Sequence, residues 1–346
     1  MTSQITNLLR KAYELHASDL HILVDSPPKY RIDGVLQSYG NMIMTKEQTS
    51  EMAQELLGNN WDKFQSEGEF DFSYKLDETS RFRVNVFKQK QAISIAARLI
   101  PVDIPTIKQL KLPEVLTDLM HEPYGLILVT GPTGSGKTTT LASMIDYANE
   151  MMNKHIITFE DPIEYIHEQK QSIIQQREVG LDTKKFSTGL RAALRQDPDI
   201  LLVGEMRDLE TISTAITAAE TGHLVLATLH TNSAVQTINR IIDVFPPHQQ
   251  GQIRIQLASV IKAVISQRLF RRADGPGRVP ATEIMIGVPA VASLIRQEKV
   301  EQIQNVLQTG KEHQMHTLEH SIYQLIRSGK VDEQEAKRYL PNVGDK

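Results

Sequence analysis

The chain has 346 residues, with 38 Lys and Arg against 42 Asp and Glu, and a formal net charge of -4. Its 40% hydrophobic and 23% charged content excludes disorder as the main state, and the length predicts two or three domains. The chain has no cysteine, which excludes a disulfide framework, a thiolate zinc site and a cysteine nucleophile. No apolar run has the length of a transmembrane segment or a signal peptide, so we expect a cytoplasmic protein.

Residues 1–100 are predicted to form a small mixed α/β domain. A helix around residues 6–16 is followed by short alternating segments at 19–24 and 29–36, and the second of these turns at Asp33-Gly34.

Two longer strands are predicted towards the end of this domain. In residues 81–87 apolar side chains occupy the even positions and polar ones the odd positions except Phe87, which indicates a half-buried strand. Residues 93–99 have a similar pattern and are expected to pair with it across a turn at 88–91. Arg98 would then lie on the same face as Arg83.

The rest of the chain divides into three parts. Prolines at 101, 105 and 113 predict a linker over 101–113. In 114–288, buried apolar runs alternate with helical stretches, a pattern typical of parallel strands covered on both faces, so we predict a doubly wound α/β core. The runs are residues 126–130, 156–159, 200–203 and 224–229. Residues 289–346 are charged and helical, and predict a C-terminal helical subdomain.

A phosphate-binding loop is predicted between the first of these runs and the helix after it. Its residues match the pattern G-x-x-x-x-G-K-T without a gap: Gly131, Pro132, Thr133, Gly134, Ser135, Gly136, Lys137 and Thr138. Glycines let backbone amides turn towards phosphates, and the helix N-terminus adds a positive dipole. We expect Lys137 to reach the β and γ phosphates of a nucleotide and Thr138 to ligate Mg²⁺.

A carboxylate for hydrolysis is predicted at the end of a neighbouring strand. Four apolar residues, 200–203, lead through Gly204 to Glu205 at the carboxyl end, where ligands of open α/β sheets bind. Glu205 is expected to polarise the attacking water. The alternative is a structural role, in which Glu205 caps the next helix or pairs with Arg207.

Further polar residues flank two other strands. Glu160, Asp161 and Glu164 follow the run at 156–159 and are candidates for positioning Mg²⁺ and water, although such a cluster is also typical of a solvated acidic loop. His223 and His230 bracket the run at 224–229. We expect His230 to lie near the γ-phosphate as a hydrogen-bond donor; a two-histidine metal site is the less favoured reading.

Together these motifs resemble the four ordered boxes of the type II/IV secretion ATPases, and within that family the pilus retraction branch. The similarity covers essentially the whole chain, including two further segments. Residues 17–21 (Ala-Ser-Asp-Leu-His) resemble the N-terminal motif, and residues 292–296 (Ala-Ser-Leu-Ile-Arg) lie where the branch has its C-terminal signature, of which Leu294-Ile295-Arg296 is kept.

The resemblance implies a PAS-like N-terminal domain, a RecA-like ATPase core and a homo-hexamer that hydrolyses ATP with Mg²⁺. In such a ring the N-terminal domain of one subunit closes over the nucleotide of its neighbour, and its arginines complete the site. Arg83 and Arg98 are the candidates, with an ordinary surface role as the alternative. The resemblance also implies nucleotide contacts by Thr139 and His223, Mg²⁺ contact by Glu164, and catalytic roles for Lys137, Glu164 and His230.

The same resemblance implies a place at the inner face of the cytoplasmic membrane, beside a pilus platform protein and, as an alternative, a second pilus ATPase. Extension and secretion relatives carry a tetracysteine zinc element and a further N-terminal domain; with no cysteine and a motif beginning at residue 17, this chain fits a retraction motor. The alternative is an accessory retraction ATPase or a nucleotide-dependent scaffold. The transporter-type signature Leu-Ser-Gly-Gly-Gln is absent, and an acidic chain with 5% aromatic residues argues against nucleic-acid binding.

Overall fold

The computed structural model describes residues 3–32, 34–77, 80–100 and 103–340. Asp33 of the predicted turn and Pro101 and Val102 of the predicted linker lie outside the described residues. The chain forms two compact units. The first is Met1–Asp103 with Pro162–Ile166, and the second is Ile104–Asp161 with His167–Lys346.

The first unit is built on a six-stranded antiparallel sheet with the strand order β3-β2-β1-β6-β5-β4. Its elements are α1 (Gln4–Glu14), β1 (Asp19–Ile22), β2 (Lys29–Ile32), β3 (Val35–Ser38), α2 (Lys46–Leu57), α3 (Trp61–Glu67), β4 (Glu69–Lys75), β5 (Arg81–Gln89) and β6 (Ala92–Ile100). Apolar side chains of α1 and α2 pack on one face of the sheet, with Leu9, Met52 and Phe82 in the core.

The predicted pairing of the two long strands is confirmed. Lys90 and Gln91 have φ values of 48° and 60°, so they form a two-residue turn of the kind that matches the twist of paired strands. With that turn, Arg83 of β5 lies directly opposite Arg98 of β6. The two arginines therefore share one face of the sheet, as the alternation predicts.

The second unit contains a seven-stranded sheet of strand order β13-β12-β7-β11-β10-β8-β9, parallel except for β13. Its strands are β7 (Gly125–Thr130), β8 (His155–Glu160), β9 (Ile173–Glu178), β10 (Ile200–Val203), β11 (Leu224–Leu229), β12 (Ile261–Arg271) and β13 (Arg278–Ile286). Its helices are α4 (Val115–Leu119), α5 (Lys137–Met151), α6 (Phe186–Ala193), α7 (Leu209–Glu220), α8 (Ala234–Asp243), α9 (Pro247–Val260), α10 (Pro289–Arg296), α11 (Ile303–Thr309), α12 (Leu318–Arg327) and α13 (Glu333–Ala336).

Helices cover both faces of this sheet, so the predicted doubly wound α/β core is confirmed. Every residue of β7 is buried, and successive side chains enter opposite layers. Leu126 and Leu128 pack in the layer that contains α6 to α11, whereas Ile127 and Val129 pack in the layer that contains α4 and α5. This double burial explains the continuous apolar runs in the sequence.

The helices after residue 288 do not form a core of their own. Val291 and Ile295 of α10 and Leu307 of α11 belong to the main core layer. The last two helices, α12 and α13, pack instead against Phe270 and its neighbours on β12 and β13. Within the described ranges, no helix is long and apolar enough to span a bilayer.

Candidate phosphate site

The predicted phosphate loop lies between the buried strand β7 and the N-terminus of α5. Gly131 and Gly136 mark its ends, with φ values of 145° and 89° that other residues rarely adopt. A Cβ atom on Gly131 would lie 2.3 Å from the Gln267 carbonyl oxygen, so the loop also approaches its neighbour too closely for a side chain. These two glycines permit the turn that presents backbone amides at the head of α5.

Lys137 is the first residue of α5, and its ammonium group lies against the loop. Its Nζ donates to the carbonyl oxygens of Gly131 at 2.8 Å and Pro132 at 3.1 Å. Thr138 and Thr139, which follow it, are half-buried. The arrangement places a cation and the helix N-terminus at one point, which suits an anion with several negative oxygens.

The strand that leads to Glu205 is not next to the loop strand, which corrects the expectation of a neighbouring strand. β11 lies between β7 and β10. His230 follows the carboxyl end of this intervening strand, where it contacts both sides. Its Nε2 lies 2.9 Å from Glu205 Oε1, and its Nδ1 lies 3.5 Å from Lys137 Nζ.

One tautomer of His230 satisfies both contacts. With its proton on Nε2, the imidazole donates to the Glu205 carboxylate and accepts from the Lys137 ammonium through Nδ1. The side chain therefore links the group that would hold the phosphates to the group that would activate water. The order of the strands, with β11 in the middle, makes this link possible.

Glu205 has a second partner. Arg207 Nε donates to Glu205 Oε1, and this hydrogen bond raises the pKa of the guanidinium. The alternative pairing with Arg207 is thus present. Helix capping is not a role of Glu205, because the cap of α7 is Asp208, whose Oδ1 accepts from the Thr211 amide at 2.9 Å. The Glu205 side chain retains 19% exposure, so one side of the carboxylate stays accessible.

The three carboxylates at the end of β8 and just after it, those of Glu160, Asp161 and Glu164, do not form a single cluster. Glu160 Oε1 accepts from Thr158 Oγ1 at 2.8 Å and from Gln176 Nε2 at 3.2 Å. Asp161 belongs to the second unit and Glu164 to the first, and both are exposed. Among the described residues, no group of three His, Asp or Glu side chains is arranged to hold a metal ion. The role of Glu164 in Mg²⁺ binding stays a prediction.

His223 lies at the amino end of β11, whereas the phosphate loop lies at the carboxyl ends of the parallel strands. It precedes β11, its backbone carbonyl accepts from the Gly125 amide, and its Nδ1 lies 2.9 Å from the Ala218 carbonyl oxygen. At ~3.3 Å per residue, the strand separates it from His230 by about 20 Å. Within one chain, His223 therefore does not reach this loop, and the two histidines do not share a metal site.

Sequence reasoning missed Gln267, a buried residue of β12 that contacts the loop. Its side-chain amide joins Ser135 and Thr140. The Ser135 hydroxyl itself is buried and has no hydrogen-bond partner among the described residues. Two consecutive polar residues, Ser266 and Gln267, follow the apolar run 263–265 of β12, and that change in polarity is the signal that could have identified Gln267.

The arginines of the first unit have different surroundings. Arg98 Nε donates to Asp19 Oδ1 at 2.8 Å, and Arg31 Nε lies 3.7 Å from Asp19 Oδ2. Partial burial by itself would raise the pKa of Asp19, but hydrogen bonds from Arg98 and Ser18 lower it overall. The Arg83 guanidinium, by contrast, has no hydrogen bond or ion pair within the described ranges.

Comparison with known proteins now identifies the family. The family model described as "Type II/IV secretion system protein" matches residues 1–341. The chain belongs to this family. The resemblance of the ordered motifs to the type II/IV secretion ATPases is thereby confirmed over essentially the whole chain.

Individual members of the secretion-system family are similar over their full lengths. The type IV pilus retraction ATPase PilT of Pseudomonas aeruginosa is 46% identical over 334 residues, which cover 96% of this chain and 97% of the relative. The type IV pilus ATPase PilU of the same organism is 38% identical, covering 99% and 90%. A crystal structure of the pilus retraction motor PilT with bound ADP superposes with a TM-score of 0.92 at 44% identity, covering 99% and 98%.

The residues of the loop fit the phosphates of a nucleotide. The Lys137 ammonium supplies positive charge, and the buried Ser135 hydroxyl has hydrogen-bonding capacity that no described residue uses. The glycines at its ends let the loop pack closely against β12, where a side chain would not fit. These features are what a secretion-system family member needs to hold a nucleotide at this edge of the sheet.

Proposed function

We propose that this protein is a motor ATPase that hydrolyses ATP to drive retraction of type IV pili. It works as a homo-hexamer beside a pilus platform protein at the inner face of the cytoplasmic membrane. The observation that carries the proposal is the full-length similarity to a pilus retraction ATPase, 46% over 96% of the chain. The link from Lys137 through His230 to Glu205 supports it, because that link supplies the groups hydrolysis needs.

Each residue of the site has a distinct task in this proposal. The loop amides and Lys137 bind the β and γ phosphates, and Lys137 neutralises the charge that develops on the transferred group. Glu205 accepts the proton of the attacking water. His230 donates to Glu205 and accepts from Lys137, so it orients the carboxylate relative to the bound phosphates. Thr139 and the N-terminal residues of α5 complete the cradle.

Mg²⁺ accompanies the nucleotide in the proposal, and Thr138 would hold it through its hydroxyl. Such an ion would neutralise negative charge on the β and γ phosphates. Glu164 is a further candidate for orienting the ion's water ligands. Its side chain is exposed, so its carboxylate is available for such a role.

A second candidate function is an accessory retraction ATPase that works beside another motor. The 38% identity to PilU over 99% of the chain favours a pilus ATPase of either kind. The two functions differ in what the cell loses. Without a principal motor, retraction stops. Without an accessory protein, the other motor still retracts pili but less efficiently, and the accessory protein can support that motor without hydrolysing ATP itself.

Loss of this gene is expected to block retraction and leave assembly intact. Cells lacking the gene should carry excess surface pili and fail in surface motility, because polymerisation continues while depolymerisation stops. Complementation with Lys137→Ala should not restore motility, because that variant lacks the cation at the β and γ phosphates. Pili counted by electron microscopy and retraction followed in labelled pili measure both effects.

A matched substitution of another lysine distinguishes loss of the phosphate site from a general effect of removing a lysine. Lys184→Ala removes an exposed lysine outside the loop and should restore motility like the parent gene. Cells that make no pili at all would contradict the retraction assignment. Restored motility with Lys137→Ala would support the accessory function instead.

A further inference from the structure

Gln267 is a buried amide that joins the phosphate loop to the helix behind it. The side chain is on β12, the strand next to β7, and the residue is 3% exposed. Its Nε2 donates to the Ser135 carbonyl oxygen at 2.7 Å, and its Oε1 accepts from Thr140 Oγ1 at 2.8 Å. Both ends of the amide are therefore engaged, one on the loop and one on the first turn of α5.

The contact with Ser135 decides which way the following amide points. In a planar trans peptide the carbonyl oxygen and the next N–H project to opposite sides. Because the Ser135 carbonyl is turned towards Gln267, the Gly136 N–H is turned away from β12. Among the described residues, that N–H has no backbone acceptor. It is thus oriented as a donor for a ligand at the head of α5.

Gln267 also lies directly behind the glycines at both ends of the loop. A Cβ atom on Gly131 would lie 2.3 Å from the Gln267 carbonyl oxygen, and one on Gly136 would lie 2.8 Å from its Nε2. The main chain of Gln267 therefore supports the start of the loop and its side chain supports the end. The Ser135 carbonyl fixes the orientation of the amide, because a flipped amide would direct its own oxygen at that carbonyl oxygen, and neither atom can donate.

We propose that Gln267 is a positioning residue for phosphate binding. It holds the Ser135–Gly136 peptide in the orientation that directs the Gly136 N–H at the nucleotide. The inference rests on the proposed function, because it requires that a nucleotide binds at this loop. It differs from a role in folding alone, which would leave the affinity of the folded protein unchanged.

Two substitutions of Gln267 test this role. Gln267→Met keeps the length of the side chain and removes both hydrogen bonds. Gln267→Glu keeps the acceptor for Thr140, but an ionised carboxylate cannot donate to the Ser135 carbonyl. For both variants we expect the dissociation constant of Mg-ADP to rise about tenfold or more, because a buried carbonyl that loses its donor reorients its peptide. The KM for ATP should rise more than kcat falls.

Ser266→Ala provides the matched control on the same strand. The Ser266 hydroxyl is hydrogen-bonded to Thr130 Oγ1 at 2.9 Å, a buried pair that does not touch the loop peptide. Removing it should lower the thermal unfolding temperature while the ADP dissociation constant stays within about twofold of the parent's. Circular dichroism and size-exclusion chromatography on the full chain establish that each variant is folded.

The outcomes separate this inference from the proposed function. If the parent protein does not bind ADP in a titration, the proposed function itself fails. If the parent binds and the folded Gln267 variants bind equally well, only the positioning role is overturned. Failure of both Gln267 variants to fold would assign the amide a purely structural role and would overturn it too. Weakened ADP binding by folded variants, with Ser266→Ala unchanged, supports it.

Discussion

Replacing Glu205 with glutamine is expected to stop ATP turnover while nucleotide affinity is retained. Removal of a general base lowers kcat by roughly 10²- to 10⁴-fold. Phosphate binding depends on the loop and Lys137, which the substitution does not change. Steady-state hydrolysis and a direct ADP titration on the same preparation measure the two quantities.

Glutamine is the appropriate substitution because the geometry of the site should survive it. Its side-chain oxygen can still accept from His230 Nε2 and from Arg207 Nε, the two donors that contact Glu205 Oε1. What is lost is the negative charge and the ability to take a proton from water. A fall in kcat without a change in affinity therefore reports the chemistry rather than the fold.

The matched control is Glu168→Gln, which changes the same atoms on an exposed side chain in the second unit. It should hydrolyse ATP at the parent rate. Hydrolysis at the parent rate by Glu205→Gln itself would show that another group activates the water. In that case the ion pair with Arg207 would be the main role of Glu205.

The sequence predicted the local parts of this site well, because each is a continuous segment. The loop from Gly131 to Lys137 lies between a buried strand and a helix, and such short-range patterns depend only on neighbouring residues. Two of the apolar runs, 200–203 and 224–229, match β10 and β11 to the residue. Both are buried on both faces, so their ends are marked by abrupt changes in polarity.

Features that depend on distant parts of the chain could not be predicted in the same way. Placing β11 between β7 and β10 requires crossover connections that no local pattern specifies. The bridge through His230 follows from that order. Gln267 was missed for a similar reason, since it lies 132 residues beyond the serine whose carbonyl it holds.

The first unit illustrates the same limit. Alternation of apolar and polar residues predicted that Arg83 and Arg98 share a face, and the register of β5 and β6 places them opposite each other. The partner of Arg98 could not be predicted, because Asp19 is 79 residues away and depends on the pairing of β1 with β6. That partner makes the two arginines unequal.

Because of this difference, Arg83→Ala is expected to reduce turnover more than Arg98→Ala. The Arg83 guanidinium has no partner in the described part of the chain, so it is available to neutralise charge on a transferred phosphoryl group. In other systems such an arginine contributes on the order of 10³-fold or more in rate. Arg98 is committed through Nε to Asp19. Losing that exposed pair should cost roughly 0.2–1 kcal/mol of folding stability.

In the proposed hexamer, Arg83 acts on nucleotide held by a neighbouring subunit, and a mixing experiment tests this. Arg83→Ala and Lys137→Ala proteins should each be inactive alone. Combined in equal amounts, they should recover activity, because about a quarter of the interfaces in a randomly mixed ring pair an intact Arg83 with an intact Lys137. Hydrolysis is measured before and after mixing, and mass spectrometry under native conditions must show that mixed rings form.

The mixture of Arg83→Ala with Arg98→Ala is the matched control, because both substitutions lie on the same contributing half of the interface. Those rings keep every phosphate loop intact. Every interface, however, lacks one of the two arginines, because each subunit carries one of the two substitutions. Mixing should therefore give the average of the two separate activities and no more. Recovery confined to the Lys137→Ala mixture would establish action across the interface. Mixed rings without any recovery would place the function of Arg83 within its own subunit.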